Sequence, residues 1–213
     1  AFLNTMFISA VSAGLALFAI DLSGKSIGPA SNMPLAAQLL LCFLIFEALN
    51  YSIHRAMHES GGKFGRFLWR AHAAHHPPPR LYLVMHAVFH PLNGMVIQFT
   101  AIVFPIWLMG YNQDVGTVFL LIIGMHGLIS HFNGDIRMGV FNYIFVGPEL
   151  HRYHHSAGVN EAKNYGATLS VYDQLFGTFI YHPGTPPKEL GVSPKSGLPA
   201  YERTFDVLKL PFS

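Results

Sequence analysis

Four long apolar runs are spaced along the 213-residue chain, with most polar residues between and after them. The first, Phe2 to Ile20, is apolar or small apart from Asn4, Thr5 and its serines. The second runs from Pro34 to about Ile53, the third from about Pro91 to Met109, and the fourth from about Asp114 to Ser130. About 20 apolar residues cross a bilayer as a helix, so each run is predicted to span a membrane. Pro34 sits where a first-turn proline is tolerated. Asp21 to Asn32, punctuated by Gly, Ser, Lys25 and Pro29, reads as a loop. The turn Gly110-Tyr111-Asn112-Gln113 is so short that the third and fourth spans must form an antiparallel hairpin. The first run lacks a basic leader and is long for the core of a signal peptide, so it is expected to remain as a span. The fold class is an all-α membrane protein: one integral-membrane domain, 1–213, with about four transmembrane helices at 2–20, 34–53, 91–109 and 114–130. Polar segments 54–90 and 131–182 supply a helical cap, with short helices expected up to about Gly177. A poorly regular tail, 183–213, carries Pro183, Pro186, Pro187, Pro194 and Pro199.

Composition supports the membrane reading. The chain is 51% hydrophobic and only 11% charged, against about a quarter charged in a soluble domain, and its mean hydropathy is +0.35. A net charge of +2 carries no nucleic-acid signal, and no such partner is expected. Placement of charge is more informative. Of 13 Lys and Arg residues, only Lys25 falls in a connection on the far side. The rest lie on the side of segments 54–90 and 131–213, which the positive-inside rule assigns to the cytoplasm. Trp107 and Tyr111, near a span end, read as interface anchors. Phe89, Phe99, Phe104 and Met125 are expected mostly at lipid-facing or helix-packing positions.

The candidate chemistry lies in the cap. Cys42 is the single cysteine, so neither an intrachain disulfide nor a thiolate metal site can form. Against it stand 13 histidines. Glu149-Leu150-His151-Arg152-Tyr153-His154-His155 contains an H-x-x-H-H pattern, and His72-Ala73-Ala74-His75-His76 repeats it. His54-x-x-x-His58 closes the second apolar run. Two copies of the triplet would arise by chance in about one such chain in a thousand, a risk low enough to act on. On a helix, positions i, i+3 and i+4 share a face, so each triplet is expected to aim three imidazoles one way. Neutral imidazole binds Zn, Fe, Cu and Ni. Eight such ligands exceed what one tetrahedral ion uses, so two ions with about four ligands each is the economical arrangement. Iron and zinc both remain open at this point.

His54-x-x-x-His58, His72-x-x-His75-His76 and His151-x-x-His154-His155 on a four-span frame resemble the fatty acid hydroxylase/sterol desaturase superfamily of integral-membrane di-iron oxygenases. The likeness covers about residues 40 to 180. It is most specific at His131-Phe132-Asn133-Gly134-Asp135-Ile136-Arg137, Pro148 to Ser156, Asn164-Tyr165-Gly166 and Ser170 to Thr178. The resemblance implies two Fe ions held by His54, His58, His72, His75, His76, His151, His154 and His155, with zinc as a substitute in a purified sample. His131 and His90 fall at family histidine positions and join the ligand candidates. Where the family often has a glutamate two residues after the proline following His90, this chain has Asn93. His86, one helical turn before His90, and His126, inside the fourth span, are further candidates. Ligating histidines usually donate their other N–H to a carboxylate or carbonyl, which selects Glu149 and Asp173 as supports, with Asn133 and Asn164 able to do similar work.

The implied activity is O2-dependent hydroxylation or desaturation of an unactivated C–H bond on a lipid such as a fatty acyl chain or sterol. The membrane supplies the substrate, and a separate protein of the cytochrome b5 or ferredoxin/reductase type supplies electrons. A carotenoid ring hydroxylase is the nearest alternative, and a histidine-rich membrane metal-binding or transport protein is an alternative of another class. A structural zinc protein is a third. Tyr181-His182-Pro183-Gly184 resembles the haem-ligating His-Pro-Gly-Gly of cytochrome b5, but Thr185 replaces the second glycine and only 31 residues follow His182. His182 is therefore read as a loop residue.

Overall fold

The computed structural model describes residues 2–192, 196, 198, 199 and 203–213. It is helical, and its extended pairing among the described residues is limited to two isolated bridges, Phe145 with Leu169 and Ser156 with Leu190. Helix α1 (Phe2–Leu22) is followed by α2 (Leu35–Glu59), α3 (Gly62–Ala73), a 3-10 turn at Leu83–Ala87, α4 (Pro91–Met109) and α5 (Gln113–Ser130). The cap then contributes a 3-10 turn at Gly139–Tyr143, α6 (Pro148–His154) and α7 (Val171–Leu175). Helix α8 (Thr204–Lys209) and a 3-10 turn at Leu210–Phe212 end the chain.

Helices α2, α4 and α5 are long and apolar enough to cross a bilayer. Helix α1 forms where the sequence predicts the first span, with Ser9–Leu22 as its apolar part. Their outward faces carry Leu40, Phe99, Phe104, Trp107, Leu121 and Met125, all exposed. Contiguous apolar surface of this extent marks contact with lipid or a partner rather than with water. The inward faces pack Phe43 and Phe46 edge-to-face on Phe119, with ring centroids 5.1 and 5.3 Å apart. Tyr111 belongs to this buried core, so of the two expected anchors only Trp107 is exposed.

The connections fix direction. Gly24 and Ala30 donate backbone hydrogen bonds to the carbonyls of Tyr111 and Met109 at 2.7 and 2.9 Å. The α1–α2 loop therefore rests on the α4–α5 turn, where Gly110 adopts φ +66, a conformation glycine enters without a Cβ penalty. At the opposite end of the bundle α2 finishes, α4 begins and α5 finishes. These are the ends that carry His54 and His58, His90, and His131.

Three departures from the predicted elements have local causes. Helix α2 continues to Glu59, about 9 Å beyond Ile53, because nothing breaks it before Ser60-Gly61, so both of its histidines ride on one rigid element. Helix α4 contains a π-helical stretch, Gln98–Val103. Pro105 has no N–H and its ring opposes the carbonyl four residues back, and a π-bulge accommodates such a defect. The tail is less irregular than its prolines suggest: Phe212 reaches back to Phe67 of α3, with centroids 6.1 Å apart. Pro194 lies outside the described residues.

Candidate metal centre

Nine histidines converge at the cap end of the bundle in two groups, and the ligand nitrogens within each lie within 4.8 Å of one another. The first holds His54, His58, His72, His76 and His154; the second holds His75, His131, His151 and His155. Both H-x-x-H-H triplets are divided between them. His72 and His76 enter the first group and His75 the second, whereas His151 and His155 enter the second and His154 the first. Each triplet thus gives its i, i+4 pair to one group and its i+3 residue to the other. The single-face expectation fails on α6 because helical positions i+3 and i+4 point about 100° apart, and on the first triplet because α3 stops at Ala73. His75 and His76 continue as turns whose N–H groups bond the carbonyls of His72 and Ala73 at 2.9 and 3.1 Å.

Proton placement tests whether these rings suit a metal. His54 Nδ1 faces the Tyr165 carbonyl at 2.8 Å, and His72 Nδ1 faces Asn93 Oδ1 at 3.0 Å. His75 Nδ1 faces the Val88 carbonyl at 3.0 Å, and His131 Nδ1 faces the Gly127 carbonyl at 2.7 Å. Each of these oxygens only accepts, so each ring donates from Nδ1 and, when neutral, keeps a lone pair on Nε2. Yet His54 Nε2 lies 3.0 Å from His72 Nε2, and His131 Nε2 lies 3.1 Å from His75 Nε2. Two lone pairs cannot bond each other, and each group contains one such pair. Burial opposes the protonation that would relieve the conflict. It holds His72, His75, His76, His151, His154 and His155 well below the usual imidazole range, and pushes His131 down to about 3.

The remaining contacts agree. His72 and His76, His131 and His151, and His151 and His155 bring Nε2 atoms to 2.9, 2.9 and 3.1 Å. Cis ligands on an ion with bonds of about 2.1 Å would stand about 3.0 Å apart. His58 Nε2 and His154 Nε2 are buried without a partner, a costly state for a polar atom unless something else binds it. The residues present therefore fit metal ions in both groups.

The supports come from three directions. His154 Nδ1 donates to the Lys163 carbonyl at 3.1 Å, so carbonyls 163 and 165 orient two rings of the first group. Between them Asn164 adopts φ +59, which asparagine tolerates better than most residues. Its side chain accepts from Ile180 N–H at 2.8 Å and donates to the Ile180 and Leu150 carbonyls at 2.8 and 3.3 Å. Asp173 accepts from the N–H groups of Tyr165 and Gly166, both at 2.8 Å, and from Thr178 Oγ1 at 2.7 Å. It supports His54 through the backbone rather than by touching a ring. Glu149 lies apart from the rings and accepts from Met138 N–H and Asn142 Nδ2 at 2.9 and 2.7 Å. Asn133 is exposed.

Two supporting residues escape the sequence reading. Glu47, fully buried on α2, accepts from the N–H groups of Ala167, Thr168 and Leu169 and ties the loop to the bundle. The only sequence hint is an acidic residue within an apolar run. Asn93 holds His72, and its departure from the family pattern was the available clue. Asn93→Leu leaves His72 Nδ1–H without an acceptor and is expected to weaken metal retention about 10- to 100-fold, read by chelator competition; unchanged retention would remove Asn93 from this role.

Three other candidate histidines lie outside both groups. His90 caps α4: its Nδ1 accepts from Leu92 N–H at 3.1 Å and its Nε2 donates to the Leu208 carbonyl at 3.1 Å. His126 Nε2 bonds the Val146 carbonyl at 2.8 Å. The His86 ring packs against Gly127, where a Cβ would come within 2.1 Å of it. Phe89 faces inward and stacks on His75 with centroids 4.3 Å apart. His182 is exposed in a loop. His182→Ala is expected to leave metal content and turnover within about twofold, as a surface substitution should, measured on the same preparations as wild type.

A cavity of about 400 Å³ opens beside the groups and extends between α1, α2, α4 and α5. His54, His72, His75, His131 and His151 line one end, while Leu15, Ile97, Ile102, Leu120 and Ile123 line it within the bundle.

Comparison with known proteins gives the same region a relationship. The fatty acid hydroxylase family matches residues 39–178. Ornithine lipid hydroxylase OlsE of Rhizobium tropici is 34% identical over 76% of this chain and 47% of its own length. A very-long-chain aldehyde decarbonylase, GL1-10 of Oryza sativa subsp. japonica, is 28% identical over 74% and 54% respectively. Methylsterol monooxygenase 1-3 of Arabidopsis thaliana is 29% identical over 70% and 50%. The chain spans about half the length of these relatives. No solved structure matches it.

Proposed function

The chain belongs to the fatty acid hydroxylase family, and from that footing we propose that it is an O2-dependent di-iron oxygenase hydroxylating, or desaturating, an unactivated C–H bond of a membrane lipid. The observation that carries this reading is the pair of buried, neutral imidazole groups facing an apolar cavity that runs between the spans. His54, His58, His72, His76 and His154 would hold one ion, and His75, His131, His151 and His155 the other. Five nitrogen donors in one group exceed the four of a tetrahedral structural zinc site and suit iron. Bound iron supplies activation of O2 and removal of hydrogen from carbon.

The protein's part is placement and exclusion. Carbonyls 163 and 165 and Asn93 fix ring orientation, while the apolar walls keep water from the reacting carbon and guide a chain toward the histidine end. Ligands gathered at one bundle end, rather than at mid-membrane, favour an enzyme over a transporter. The relatives named for ornithine lipid and methylsterol support a lipid substrate. Of the Lys and Arg residues that the structure describes only Lys25 lies at the other end, which supports a cytoplasmic site, four spans and a separate cytoplasmic electron donor. Lipid profiling of cells with and without the gene, with and without O2, tests the reading. One lipid should gain an oxygen or lose two hydrogens only when both are present. Identical profiles together with retained zinc would sink it.

A further inference from the structure

Helix α3 carries cations and aromatic rings on the sides it turns away from the histidines. Its inner side is marked by Gly65 and His72, both buried, and by Trp69, whose ring lies 5.1 and 5.6 Å from those of His58 and His76. Lys63, Arg66 and Arg70 stand at i, i+3 and i+7 and share another side. Lys63 and Arg66 are exposed and Arg70 is half-buried, and among the described residues none of the three has an ion-pair partner. Phe64 and Phe67, one position after Lys63 and Arg66, are exposed too, Phe64 at 69%.

The surroundings extend both features. The sequence has no Asp or Glu between Glu59 and Asp114, so these cations find no countercharge in their own segment. Phe212 of the tail is 73% exposed and lies beside Phe67, and Phe205 and Lys209 on α8 are exposed as well. The acid of α8, Asp206, is paired with Arg203 at 2.6 Å. Packing sets the height of the patch. Helix α3 rests against Pro91–Ile97, the first turns of the span α4, at the level where that span leaves the bilayer.

A helix with phenyl rings beside Lys and Arg is the form taken by segments that lie in the membrane–water interface, and clustered cations there attract anionic headgroups. A soluble acidic partner would match the cations alone. The rings decide between the two, because exposed phenyls beside the end of a span continue its apolar surface. We propose that α3 and the 205–212 segment form an in-plane anchor. Lys63, Arg66 and Arg70 bind anionic phospholipid headgroups of the leaflet at the histidine end, while Phe64, Phe67 and Phe212 enter its acyl boundary. The same helix bears His72 and leads into His75 and His76, so the anchor holds that triplet at the membrane surface.

Two measurements on the purified full chain test this. In nonionic detergent, a bound fluorescent phosphatidylglycerol is displaced by dioleoylphosphatidylglycerol or by dioleoylphosphatidylcholine. Wild type should prefer the anionic lipid, and the triple variant Lys63→Gln, Arg66→Gln, Arg70→Gln should lose at least about fivefold of that preference, the contribution of one cation. Lys25→Gln, at the other end of the bundle, should keep it within about twofold. Equal binding of both lipids by wild type, or an undiminished preference in the triple variant, overturns the proposal. In bilayer nanodiscs, a nitroxide on Phe64→Cys, with Cys42→Ala removing the other thiol, should relax faster with oxygen dissolved in the bilayer than with a water-soluble nickel chelate. The reverse order would place the ring in water, on a surface for a soluble partner, and would also overturn it. Neither readout involves turnover or bound iron, so failure of the anchor and failure of the oxygenase reading are told apart.

Discussion

His154→Ala is expected to abolish product formation and lower the iron content, while the protein still inserts into membranes. Among the nine clustered rings His154 bridges the two groups. Its centroid lies 4.4, 4.9 and 4.8 Å from those of His54, His58 and His76, and 5.3 and 5.2 Å from His151 and His155. Its Nδ1 is committed to the Lys163 carbonyl, so its unpartnered Nε2 is the free ligand atom. Removing it takes one donor from the five-membered group and opens a gap on the boundary with the other. Iron per chain should fall below the wild-type value, with turnover down at least about 100-fold, as expected when a ligand rather than a supporting residue is lost. Metal analysis and product assay on one preparation check this. Unchanged turnover would defeat the ligand assignment.

Glu47→Ala is expected to have the largest effect on stability. The carboxylate receives three consecutive backbone N–H groups, Ala167 to Leu169, inside the protein. Alanine leaves all three without an acceptor, at about 1 kcal/mol or more each, so the loss should reach about 3 kcal/mol. For a chain of this length that lowers the melting temperature by about 6–12 °C. Glu47→Gln keeps one acceptor oxygen and should fall between. The same loop carries the Tyr165 carbonyl that orients His54, so metal retention should weaken with stability. A melting temperature within about 2 °C of wild type in Glu47→Ala would show that the loop is held by other contacts.

Local sequence carried much of this architecture. The apolar runs place α4, α5 and the start of α2 to within a few residues, and the histidine spacings single out eight of the nine clustered histidines before any coordinates. What spacing could not show is the division into two groups, because it depends on where α3 ends and on the facing of α6 against it. Glu47 stands 120 residues from the first N–H it holds, and Asn93 stands 21 from His72. Neither pairing leaves a local pattern. Glu149, chosen for its place beside His151, turns instead to Met138 and Asn142. His90, chosen by family position, became a helix cap when the tail supplied the Leu208 carbonyl. Proximity in sequence picked out the clustered histidines well and their hydrogen-bond partners poorly, since such a partner needs only one hydrogen bond from any part of the chain.

The central claim is that two metal ions are held by imidazole nitrogen in groups of five and four. The most direct test is the metal content of wild-type protein purified from iron-supplied cells. About two irons per chain is the predicted result, matching the two groups. One metal ion or fewer per chain, or zinc retained in place of iron, would contradict it.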